Sequence, residues 1–144
     1  MYNKPNSNPY FENSVNTASP AKLIELLYQN SIERLNKSIK SIENNNLQEA
    51  NKQIIRVEDI IMELNISLNL EKGGEVAKNL RSLYNFMYAK LLEANTKKDI
   101  GILNEVKELL EDLLETWKEV RKKEVKTSRE LNAKTLDPKF DLQY

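Results

Sequence analysis

The 144-residue sequence contains no cysteine and no histidine, and its only glycines are Gly73, Gly74 and Gly101. Without cysteine there is no disulfide framework, thiol nucleophile or thiolate zinc site, and no need for an oxidising compartment; the cytosol is the expected location. Without histidine the commonest general base and nitrogen metal ligand are missing, which removes serine triads, Glu-x-x-His di-iron bundles and histidine phosphotransfer. Three glycines at those positions spell neither a dinucleotide fingerprint nor a P-loop. No run approaches the ~20 apolar residues of a membrane span, and residues 1–8 are Asn-rich without the apolar stretch of a secretory signal. No catalytic residue, metal or cofactor is expected, and the chain reads as a non-enzyme.

Lysine and arginine number 22, as do aspartate and glutamate, so no bulk charge draws the chain to nucleic acid or to a membrane surface. Charge segregates locally all the same. Residues 100–120 hold two basic and six acidic groups, whereas 121–144 hold seven basic and four acidic. The basic run from Arg121 complements the negative end of a helix dipole, and it lacks the interleaved aromatics of a nucleic-acid surface.

Proline is also scarce where it matters. Pro5, Pro9, Pro20 and Pro138 all lie outside residues 21–137, and no strand pattern occurs between them. Ser19-Pro20 spells an N-cap followed by proline at the first helical position. Asn44-Asn45-Asn46, Lys72-Gly73-Gly74 and Asp99 then punctuate the chain, which predicts helices over about 20–43, 47–70, 75–95 and 100–132. Short connections make sequential helices antiparallel. The expected fold is all-α, an up-down-up-down four-helix bundle over 20–134, with a flexible arm over 1–19, an extended fourth helix and a tail over 135–144.

Apolar spacing assigns the seams. The fourth helix presents Leu103, Val106, Leu110, Leu113, Trp117 and Val120; the second presents Ala50, Ile54, Val57, Ile61, Leu64 and Leu68. The third offers Val76, Leu80, Leu83, Met87, Leu91 and Ala94. The first offers Ile24, Leu27, Leu35 and Ile42, with Ser31 and Ser38 on the same face. More apolar surface remains than these seams use. Ile55, Met62, Ile66 and Leu70 form a second stripe on the second helix, Tyr88 and Leu92 flank the third, and Leu26 projects from the first among polar residues. Two readings stand for this surplus: contacts with a second neighbouring helix, or grooves that receive an amphipathic segment of a partner or of a second copy. The tails add apolar beads, Tyr10, Phe11 and Val15 at one end and Leu136, Phe140, Leu142 and Tyr144 at the other.

Asn8-Pro9-Tyr10, the run from Ser14-Val15-Asn16 to Thr17-Ala18-Ser19-Pro20, and then Leu23 and Leu26-Leu27-Tyr28 resemble the N-terminal signature of the FliS family of flagellar secretion chaperones. Glu63-Leu64-Asn65-Ile66-Ser67-Leu68-Asn69 follows in the order that family shows. Leu83-Tyr84, Met87-Tyr88, Leu92-Glu93-Ala94-Asn95, Lys98-Asp99 and Trp117-Lys118 continue it, so the resemblance covers about 8–120. It implies a cytosolic helical bundle that binds flagellin, holds its disordered C-terminal segment, prevents premature polymerisation and delivers it to the flagellar export apparatus. It further implies that the arm with Tyr10 lies over the client-binding surface and moves on binding. Tyr10 and Val15 match the arm, Leu23, Leu27 and Tyr28 the first helix, and Leu64, Asn65, Leu68 and Asn69 the second. The charged extension after Val120 and the tail from Leu136 depart from the family pattern. A homo-oligomerising bundle, or an adaptor for another amphipathic partner, is the alternative.

Overall fold

The computed structural model describes residues 19–134, and four helices account for nearly all of them. Helix α1 spans Pro20–Glu43; Ser19 caps it, its hydroxyl accepting from the Lys22 amide at 3.2 Å. The asparagine triplet does two jobs. Asn45 takes a left-handed φ of 58° that stops α1, and the Asn46 side chain accepts from the Glu49 amide to start α2, Leu47–Ile66.

Helix α2 ends four residues earlier than its apolar pattern suggests. Ser67 caps it, with its hydroxyl donating to the Leu64 carbonyl at 2.8 Å, and Asn69 opens the next helix by accepting from the Lys72 amide. Two strong capping residues this close together outcompete one more turn of apolar periodicity. Helix α3 accordingly spans Leu70–Lys97, with a bend at Gly74, whose φ of 55° and ψ of −134° belong to glycine. The Lys72-Gly73-Gly74 stretch expected as an open turn is thus a short helical turn followed by a kink. Lys98, with φ 52°, ends α3, and the Asp99 carboxylate caps α4, Ile100–Lys134, by accepting from the Ile102 amide.

Helix α1 packs on α2 and α4, and α3 closes the ring against the same two, with the α3–α4 seam the sparsest. Cross-helix hydrogen bonds give the register. Glu25 meets Arg121, Tyr28 meets Trp117 and Asn36 meets Lys107, so α4 descends as α1 rises. Asn51–Asn95 and Asn65–Asn85 show the same antiparallel relation between α2 and α3. Among the described residues no strand occurs, and the up-down-up-down bundle stands as expected.

The core contains Leu35, Ile54, Val57, Ile61, Met87, Leu91, Leu103 and Leu110, each at most 1% exposed. Three seam assignments change. Val76 is 68% exposed and its neighbour Ala77 is buried, because the Gly74 kink rotates the first turn of the main α3 segment. Val120 is exposed. Leu68 lies in the α2–α3 connection and still packs on the core. Helix α1 buries Glu25, Tyr28, Ser31, Leu35 and Ser38, while Ile24, Leu27 and Ile42 sit at the core margin.

Candidate functional site

The polar groups of greatest consequence are inside the bundle. Tyr28 from α1 and Tyr84 from α3 place their hydroxyls 2.5 Å apart across the core, and Trp117 Nε1 of α4 donates to the Tyr28 hydroxyl at 2.9 Å. The Tyr28 and Trp117 rings lie 6.5 Å apart in a tilted pair. Burial raises the pKa of both tyrosine hydroxyls, that of Tyr84 strongly, so they remain protonated hydrogen-bonding groups. One turn away, the buried Glu25 carboxylate takes Arg121 Nε at 2.6 Å and Lys22 Nζ at 3.4 Å. Glu25 and Tyr28 continue the three- and four-residue spacing of Ser31, Leu35 and Ser38 on the buried face of α1, but spacing does not reveal their partners, which lie about ninety residues away in sequence. Glu58 is the second buried carboxylate, on the side of α2 that faces α3; burial foremost, then the Asp59 charge, raises its pKa against the pull of Lys98.

Of the surplus apolar residues, Ile55, Met62 and Ile66 are exposed on α2, Ile66 at 75%, and Leu92 is exposed on α3. At ~100° per residue the three α2 side chains fall within about 40° of one another. The Asn51–Asn95 and Asn65–Asn85 bonds mark the line where α2 and α3 meet on the surface. Met62 and Ile66 flank Asn65, whereas Tyr88 and Leu92 lie one turn apart between Asn85 and Asn95. The structure therefore brings Ile55, Met62, Ile66, Tyr88 and Leu92 to one face across that line. Tyr88 is half-buried and also packs on the core. Leu70 belongs to α3 and does not continue the α2 stripe, because α2 ends at Ile66. Leu26 is half-buried on α1, about 160° around that helix from the buried Tyr28, and is not brought to the other residues. Tyr10, Phe11 and Val15 lie outside the described residues.

A second apolar feature sits at the end of the bundle where α1 begins. An open groove of about 360 Å³ runs between the α2–α3 connection and α4, lined by Ile24, Leu64, Leu80, Tyr84 and Trp117, with Val76 and Lys72 also along it. Neither this groove nor the α2–α3 face carries a carboxylate cluster. Among the described residues no group of three or more Asp or Glu is arranged to hold a metal, and no helix is long and apolar enough to cross a membrane. The acidic cluster on α4, Glu105, Glu108, Glu111, Asp112, Glu115 and Glu119, faces solvent.

A family model described as Flagellar protein FliS matches residues 1–124. The chain belongs to the FliS family. It is 35% identical over 117 residues to the flagellar secretion chaperone FliS of Bacillus subtilis, covering 81% of this chain and 86% of that protein. The flagellar secretion chaperone FliSB of Pseudomonas aeruginosa is 40% identical over 106 residues, 74% of this chain and 84% of its own. FliS of Campylobacter jejuni is 35% identical over 124 residues, 86% and 97% of the two chains. These names place the FliS family among chaperones of flagellar secretion and not among enzymes. The FliS match stops at residue 124, within α4, which continues for ten residues to Lys134.

Proposed function

We propose that this chain is a flagellar export chaperone whose client is the disordered C-terminal segment of flagellin, taken up as an amphipathic helix along the α2–α3 face. The observation that carries the reading is the exposure of Ile55, Met62, Ile66 and Leu92 on one face of a chain from the FliS family. An amphipathic helix places anchors three, four and seven residues apart, which suits a row of apolar groups along an antiparallel helix pair. Half-buried Tyr88 forms the floor of this face.

The magnitudes suit a temporary hold. Full burial of a Leu, Ile or Met side chain is worth about 1.5–3 kcal/mol. These residues are already about half buried, apart from Ile66, so each gains only a fraction of that. Ordering a disordered client costs about 2–5 kcal/mol. The balance favours binding that shields the segment from premature polymerisation in the cytoplasm and still releases it at the export apparatus.

The test compares full-length flagellin with flagellin lacking its C-terminal segment, each titrated against the chaperone by calorimetry. Binding to the first and loss of binding to the second are expected. Equal affinity for both rules the client assignment out. A chaperone that is dimeric through the α2–α3 face by light scattering, and indifferent to flagellin, supports a homo-oligomer in its place.

A further inference from the structure

We propose that residues 135–144 fold back over the end groove and seat Phe140, Leu142 and Tyr144 in it, so that the chain covers this groove itself. The inference is independent of which segment occupies the α2–α3 face.

The groove and the end of α4 share one end of the molecule. The Glu25–Arg121 and Tyr28–Trp117 pairs set Trp117 level with the second turn of α1 and Pro20 level with about residue 126 of α4. Helix α4 continues to Lys134, about 12 Å past the start of α1. From Lys134 back to the level of Trp117 is about 26 Å along α4, and an extended chain advances about 3.3 Å per residue. Eight extended residues close that distance. Leu136 falls short of the groove, whereas Phe140, Leu142 and Tyr144 arrive at it.

The chemistry fits the reach. Phe140, Leu142 and Tyr144 alternate with Asp141 and Gln143, so an extended segment turns three apolar side chains to one side and its polar groups to solvent. The groove offers Ile24, Leu80, Trp117 and the exposed Val76 to receive them. Lys72 lines the groove and makes no ion pair among the described residues, and residues 135–144 carry two aspartates against one lysine. The arm over 1–19 starts from the same end, but Lys4 balances Glu12, and Tyr10, Phe11 and Val15 follow no two-residue period. Charge and periodicity both favour the C-terminal segment. Asp137-Pro138 disfavours helix and keeps the returning segment extended.

The chain has no cysteine, so a pair introduced into the full-length protein is unique. Val76→Cys with Leu142→Cys is expected to form a disulfide within a single chain under mild oxidation in dilute solution. Failure of that pair, formation only between two chains, or trapping of Val76→Cys by Tyr10→Cys in its place overturns the proposal. Trp117, the only tryptophan, supplies a second readout from the groove wall. Phe140→Asp with Leu142→Asp in the full chain is expected to shift Trp117 emission to the red and increase its quenching by acrylamide, with helical content unchanged. Unchanged emission, or a red shift produced by Tyr10→Asp with Phe11→Asp and not by the C-terminal variant, overturns it.

Discussion

Arg121 donates to the Glu25 carboxylate with Nε 2.6 Å from Oε2, and Glu25 is only 2% exposed. This pair joins the start of α1 to the last turn of α4 inside the bundle, and it orients the part of α4 that runs on beyond. Removal of Arg121 leaves a buried carboxylate with Lys22 as its remaining cation. Arg121→Ala is expected to lower unfolding stability by about 1.5–3 kcal/mol in urea melts at neutral pH, the range for hydrogen bonds to charged groups. Burial by itself would raise the Glu25 pKa; the Arg121 hydrogen bond and the Lys22 and Arg121 charges outweigh it and hold it below 4.5. A folded-state pKa below the unfolded one gives stability that is present above pH 4.5 and lost as pH falls through the folded value. The difference between the wild type and Arg121→Ala should therefore shrink in acid, and a difference that grows below pH 4.5 contradicts this account.

Glu58 has the opposite sign. Burial, then the Asp59 charge, raises its pKa despite Lys98, so its folded form holds the proton more tightly than its unfolded form. The resulting stability is complete below the unfolded pKa and is lost as pH rises through the folded value. Glu58→Gln is expected to raise the urea midpoint at pH 7 and to lose that advantage below about pH 4.5. An advantage equal at both pH values would show that the carboxylate charge is not what costs stability.

The Tyr28 hydroxyl serves two partners and the Tyr84 hydroxyl one. Tyr28→Phe therefore strips a hydrogen bond from both Tyr84 and Trp117 Nε1, whereas Tyr84→Phe leaves the Trp117 bond in place. A buried polar group without a partner costs about 1–3 kcal/mol. Tyr28→Phe should be the more destabilising of the two in chemical denaturation, and it alone should change the near-ultraviolet signal of Trp117. The reverse order would mean that the three groups do not form the chain of hydrogen bonds described.

Met62 and its neighbour Ile61 separate surface from core by one position. Met62→Glu and Ile66→Glu are expected to abolish flagellin binding in pull-downs while stability changes by less than about 0.5 kcal/mol, as for surface substitutions. Ile61→Ala, at a site 1% exposed, should cost about 2–5 kcal/mol and spare binding wherever the protein remains folded. Unfolding caused by Met62→Glu would place the stripe in the core and refute the groove.

Much of this protein was legible in its residues because the relevant physics is local. Ser19-Pro20, the asparagine triplet and Asp99 cap helices through contacts three residues apart, and apolar groups every three or four residues give each helix its buried face. Those features, with proline and glycine nearly absent from the interior, determined an all-α antiparallel bundle and a surplus apolar stripe on α2. Tertiary structure decided what depends on partners distant in sequence. It buried Glu25 against Arg121, whose charge and hydrogen bond offset the cost of taking that carboxylate out of water. It made Tyr28 and Tyr84 central, exposed Val76 through the Gly74 kink, and moved Leu70 off the α2 stripe by ending α2 at Ile66. It also set Tyr88 and Leu92 beside Ile55, Met62 and Ile66 and left Leu26 apart, since the packing of α3 on α2 fixes which outward side chains share a face.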